Sequence, residues 1–94
     1  MTLAEFKESL KKSSPPTDAS ALLQAMWFDA KDDWEAAHNI AQDVHTKDGS
    51  WVHAYLHRRE GDDGNAAYWY HRAGKPVYKK SLKDEWDEMV EALL

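Results

Sequence analysis

The stretch Trp51-Val52-His53-Ala54-Tyr55-Leu56-His57-Arg58-Arg59-Glu60-Gly61-Asp62-Asp63-Gly64-Asn65-Ala66-Ala67-Tyr68-Trp69-Tyr70-His71-Arg72-Ala73-Gly74-Lys75-Pro76 decides the fold. Two helix-length segments flank the turn Gly61-Asp62-Asp63-Gly64. Gly74 ends the second with a left-handed stop, and Pro76 keeps the helix from resuming. His53 and His57 stand four residues apart, hence on one helical face, and Glu60 lies a turn further along it. Tyr68, Trp69, Tyr70 and His71 are consecutive on a helix, so they point round most of its circumference. At least one of these rings must face solvent, another chain or a ligand. The stretch reads as a helical hairpin whose contact surface is polar and rich in rings.

Working outward, Asp48-Gly49-Ser50 precedes this hairpin as a turn, with Ser50 the expected cap. Residues 18–46 read as a first hairpin. Asp18 is its expected cap, and Leu22, Leu23, Met26, Trp27 and Ala30 form an apolar stripe at helical spacing. After Asp32 and Asp33, a helix from Trp34 to about His45 carries Ala37, Ile40, Ala41 and Val44 inward. At the N-terminus Thr2-Leu3-Ala4-Glu5 reads as a capping box for a short helix to about Lys12. Ser13-Ser14-Pro15-Pro16 follows as a hinge, so residues 1–14 are expected to dock loosely. Ser81 caps a last helix over 81–94, with Leu82, Trp86, Met89, Val90 and Leu93 on its apolar face. No alternating run suits a strand. Residues 1–94 therefore read as a single all-α domain, a compact bundle of five to six short helices built from two repeat-like helical hairpins with flanking N- and C-terminal helices.

Ninety-four residues without cysteine must stabilise themselves by their core alone, and five Trp, four Tyr and two Phe supply large apolar area for it. The net charge of −5 is unevenly placed. Residues 1–50 carry five Lys against nine acids, 51–83 seven Lys or Arg against three, and 84–94 five acids and no base. An acidic chain of this kind argues against broad phosphate-backbone contact, so nucleic acid ranks last among partners. No window approaches a membrane span, and no export signal is legible, which sets the expected location as cytoplasmic.

A 29-residue shift lays Asp33-Trp34-Glu35-Ala36-Ala37 on Asp62-Asp63-Gly64-Asn65-Ala66 and Ala25 on Ala54. With Gly61-Asp62, Ala66, Tyr70, Ala73 and Pro76, residues 22–76 resemble the tetratricopeptide and Sel1-like repeat pattern, and Ala66 to Ala73 looks like the second helix of the latter. The block also looks like a family of small bacterial helical proteins of unassigned activity. The resemblance implies packed helical hairpins and names no chemistry. It departs from the repeat where His53 and His57 replace apolar and aromatic residues.

Three constellations could carry function. Trp51, Tyr55, Arg58, Arg59, Tyr68, Trp69 and Arg72 could form an aromatic and guanidinium surface on the second hairpin, suited to a protein or peptide partner or to self-association. The bland alternative is that the arginines pair with Glu60, Asp62, Asp63 or the acidic last helix while their stems cover rings. His53, His57, Asn65 and Tyr70 could form a polar hairpin network, since a buried imidazole without a partner costs about 1–3 kcal/mol. Finally, His53, His57, Glu60 and Asp62, with His38 as a further candidate, have the spacing to bind a divalent metal such as zinc. Ala54-Tyr55-Leu56 lacks the glutamate of the zinc protease helix, so no base for water activation is evident. The serines at 9, 13, 14, 20, 50 and 81 lie at helix ends or linkers, and Asp32-Asp33 and Asp62-Asp63 read as caps. The leading expectation is a non-enzymatic interaction module needing no cofactor. The alternative is a metal- or small-anion-binding protein, or a hydrolase of that kind, centred on His53, His57 and Glu60.

Overall fold

Each helix begins on a Ser, Thr or Asp whose side chain accepts a hydrogen bond from the backbone amide three residues on, satisfying a donor that the helix itself cannot. These caps set the starts of α1 (Leu3–Ser9), α2 (Ala21–Ala30), α3 (Trp34–Ala41), α4 (Lys47–Arg59), α5 (Asp63–Arg72) and α6 (Leu82–Leu93). The computed structural model describes Met1 to Leu94, and the chain is all-α with no strand. Thr2 and Glu5 form the full capping box. Asp33, Asp62 and Ser81 cap where their sequence positions indicate.

Two caps lie elsewhere than the sequence suggests. Ser20 rather than Asp18 starts α2, because the chain leaving Pro15-Pro16 is still turning there: the Ala19 amide donates to the Pro16 carbonyl at 3.2 Å. Thr46 rather than Ser50 starts α4, and Gly49 lies inside the helix instead of in a turn. A Cβ on Gly49 would stand 1.9 Å from the Val44 carbonyl oxygen, so glycine is required for the tight return from α3. That return also ends α3 at Ala41 rather than near His45.

Helix α4 is the central element. It contacts α2, α3, α5 and α6, and every residue from Trp51 to His57 is buried. The closest pairings are α2 with α3 and α4 with α5. Around them Phe6, Met26, Trp27, Val52, Leu56, Tyr70, Met89 and Val90 fill a continuous apolar core.

The N-terminal helix is docked, contrary to the loose attachment expected from the proline pair. Phe6 is fully buried and meets Trp86 with ring centroids 5.9 Å apart. The Trp27 indole donates to the Ser9 carbonyl at 3.3 Å, Lys31 reaches the Leu10 carbonyl at 2.8 Å, and Lys7 pairs with Asp87 at 3.1 Å. A seven-residue helix is not stable alone, so this tertiary anchoring is what holds it.

Two carboxylates are buried inside the core, each tied to α4. Asp29 of α2 accepts from the Tyr55 hydroxyl at 2.9 Å and pairs with Arg59, whose guanidinium also donates to the Asp29 carbonyl at 2.6 Å. Burial still raises the Asp29 pKa, with Arg59 and Tyr55 opposing that shift. Glu85 of α6, fully buried, accepts from Trp51 Nε1 at 3.1 Å, from the Tyr70 hydroxyl at 2.6 Å and from Arg58 at 2.8 Å. One carboxylate thus joins α4, α5 and α6. Glu85→Ala leaves the Arg58 charge and two buried donors unmatched. It is expected to lower unfolding stability by about 3–5 kcal/mol, measured by denaturant titration. A loss below about 1 kcal/mol would show that this hub is dispensable.

Candidate metal centre

On α4 the helical period sends Trp51, Tyr55 and Arg58 to one side and His53, His57 and Glu60 to the other. The first set meets Glu85 and Asp29; the second turns toward α3, where His38 projects back at it. His38 Nε2 and His53 Nε2 are 3.0 Å apart. His53 and His57 lie parallel, with centroids 4.8 Å apart and a 25° interplanar angle. The His38 ring is roughly perpendicular to both, at 4.7 and 5.3 Å. One ligand atom from each of the three rings lies within 4.8 Å of the others.

Neighbouring side chains hold this cluster in place. The Trp34 indole stacks on His38 at 4.7 Å and donates through Nε1 to the Leu56 carbonyl at 2.7 Å, which fixes the indole against α4. On the other flank Trp69 of α5 stacks on His53 at 4.0 Å. His57 Nδ1 contacts Glu60 Oε1 at 2.7 Å. That bond leaves Nε2 as the free ring nitrogen of His57, the arrangement in which a carboxylate orients a metal-ligating imidazole.

His53 and His57 are each 7% exposed and His38 is half-buried. Burial pushes the His53 pKa down to about 4, and the neighbouring imidazoles of His38 and His57 add to the shift. His38 is lowered by burial and then by His57, with Glu60 opposing. At neutral pH the pair is therefore uncharged, the form in which imidazole binds a metal. It can form its own hydrogen bond only with one ring as donor and the other as acceptor.

A second group, His57, Glu60 and Asp62, also brings three ligand atoms within 4.8 Å. Its carboxylates already have tasks. Glu60 bonds His57, and Asp62 accepts from the Asn65 amide at 3.3 Å as the cap of α5. Of the expected His53, His57, Glu60 and Asp62, the structure therefore leaves the carboxylates otherwise engaged and brings His38 to His53 and His57 as the less committed candidate ligand set.

The other candidate residues divide by burial. Trp51, Tyr55, Arg58 and Arg59 belong to the two buried carboxylate networks and offer little to a partner; Arg58 also donates to the Lys80 carbonyl. The expected surface is thereby reduced to Tyr68, Trp69 and Arg72 on α5. Tyr68 is 53% exposed, and Arg72 donates to its hydroxyl at 3.2 Å. The expected polar hairpin network is also assembled differently. Tyr70 bonds Glu85 on the far side of α4, and Asn65 contributes its backbone amide to the Asp62 cap, so neither reaches the imidazoles. Their partners are His38 and Glu60.

In metal-free protein the depressed histidines make stability depend on pH. The unfolded chain takes up a proton at His53 as pH falls through about 6.5, whereas the folded chain resists protonation until about 4. This contribution is therefore complete above that window and is lost as pH falls through it. The thermal midpoint of chelator-treated protein is expected to drop between about pH 7 and pH 5, and less steeply in His53→Gln. A drop of equal steepness in the variant would show that His53 is not its source. Set beside known proteins, the chain matches no family model, no curated protein and no solved structure.

Proposed function

We propose that this protein binds one divalent transition-metal ion, of which zinc is the best fit, through His38, His53 and His57, with Glu60 orienting His57. The approach of His38 Nε2 to His53 Nε2, 3.0 Å, carries this reading. Two nitrogen ligands on one tetrahedral zinc at about 2.0 Å stand about 3.3 Å apart, so for this pair a shift of a few tenths of an ångström suffices, and the His57 ligand atom lies within 4.8 Å of both. Three neutral nitrogen donors suit zinc and leave a fourth position for water or a small ligand, the pattern of a reactive rather than a closed structural site. The stacked indoles limit ring rotation, which lowers the ordering cost of binding.

Untagged protein titrated with zinc against a chromophoric chelator is expected to bind one equivalent. His38→Ala and His53→Ala should each weaken binding by at least about 100-fold, and Glu60→Gln by about 10–100-fold. Helicity should remain in all three. Substoichiometric zinc, or the same affinity in folded His53→Ala, would overturn the assignment.

A second reading keeps the chain as a helical interaction module. Its support is the exposed Tyr68 beside Arg72, in a stretch whose sequence resembles the tetratricopeptide and Sel1-like repeat pattern. The occupant that can be tested directly is a second copy of this chain. Sedimentation equilibrium should then show a dimer that Tyr68→Ala dissociates, and a monomer at all concentrations would exclude self-association.

A further inference from the structure

A cleft of about 470 Å³ opens beside the three-histidine cluster, between the α3–α4 connection, the first turn of α4 and the outer side of α5. His53 and Trp69 form part of its wall, so the cleft reaches the imidazole that the metal reading uses. None of its eleven lining residues is acidic. The cations on it are Lys47 and Arg72, and His45, Ser50 and Gln42 add further polar groups.

In a chain with 17 acids against 12 Lys and Arg, a cleft without a carboxylate is contrary to the average surface. The two cations are also uncommitted. Arg58 and Arg59 are neutralised by Glu85, Asp29 and Asp32, whereas neither Lys47 nor Arg72 has an ion-pair partner. Arg72 is nevertheless held in place. Its guanidinium lies 5.4 Å from the Trp69 ring centroid and 5.8 Å from that of Tyr68, to whose hydroxyl it donates. Lys47 extends from α4 toward the end of α5, its Nζ 3.9 Å from where a Cβ on Gly74 would lie. Cations from two different helices therefore border one concavity.

We infer that this cleft receives the phosphate group of a small phosphomonoester, held by Lys47 and Arg72, so that the molecule approaches the open position of the metal centre past His53. A phosphate dianion matches two cations and can accept a bidentate guanidinium. A carboxylate carries half the charge and should bind more weakly. The link to the metal rests on the three-histidine reading; the anion site itself rests on the cleft and its cations.

Phenyl phosphate and benzoate serve as probes, titrated by calorimetry into metal-free and zinc-loaded protein, with Lys47→Gln and Arg72→Gln for comparison. Both replaced residues are solvent-exposed, so folding is preserved. Phenyl phosphate should bind more tightly than benzoate. Either substitution should weaken it by about tenfold, the worth of one charge-assisted contact, without changing zinc affinity. Zinc should tighten phenyl phosphate further if the molecule reaches the metal. Normal zinc binding with no phenyl phosphate binding, or with binding equal in both substituted proteins, would overturn the anion site and leave the metal reading intact. Failure to bind zinc, with phenyl phosphate still weakened by Lys47→Gln, would do the reverse. Benzoate as tight as phenyl phosphate would overturn the phosphate assignment.

Discussion

The structure depends on the burial of α4 on every side. A helix that touches four others has no solvent-facing stripe on which to place polar groups, yet the segment Trp51 to His57 contains an indole N–H, a phenol and two imidazoles. Each unmatched group would cost about 1–3 kcal/mol, so every one must meet a partner brought by a different part of the chain. Glu85 arrives from α6 for Trp51, Asp29 from α2 for Tyr55, and His38 from α3 for His53, while Glu60 serves His57 from the next turn. These bonds fix the rotation and register of the helices that surround α4. Apolar contacts alone would leave that register less sharply defined.

The same constraint sorts the two sides of α4 by chemistry. The side carrying Trp51, Tyr55 and Arg58 is matched by carboxylates and becomes an anchored interior. The side carrying His53 and His57 meets another imidazole and two indoles, with the Glu60 carboxylate on Nδ1 of His57. No carboxylate bonds either ring of the His38–His53 pair, and at His38 burial outweighs the opposing charge of Glu60, so both pKa values are lowered. Desolvated neutral nitrogens close together on rigid helices form a preorganised donor set.

Much of this was legible from local sequence. The Thr2–Glu5 capping box, the Asp33, Asp62 and Ser81 caps and the stop at Gly74 are signals spanning a few residues, and all appear as local physics requires. The shared face of His53 and His57 follows from helical period alone. What sequence could not give was the direction from which partners arrive. Tyr70 and Arg58 meet Glu85 across 15 and 27 residues, and nothing local distinguishes that glutamate from its solvent-facing neighbours on α6. Its position beside Trp86 on the apolar side of α6 is the one available hint. The start of α4 was misplaced because Asp48-Gly49-Ser50 has turn composition, while Gly49 is present for a steric reason, the approach of the Val44 carbonyl. Such a clash exists only after folding.

Placing three imidazoles in one buried cluster is an inefficient way to build a core, since apolar groups of similar volume would need no donor and acceptor matching. The His38–His53 hydrogen bond satisfies one nitrogen of each ring and stacking covers their faces, but lowered basicity remains as a cost to folding whenever protons are available. On the proposed reading a metal reverses the sign of that cost. Its ligands come from α3 and α4, so binding would add to the links those two helices already have through this contact and through the Trp34 indole on the Leu56 carbonyl. The ion would bind the folded state and not the unfolded one, adding its binding free energy to stability. On that reading the cluster is the resting form of a site, and it differs from the rest of the bundle, where buried indoles and phenols donate to carboxylates or backbone carbonyls.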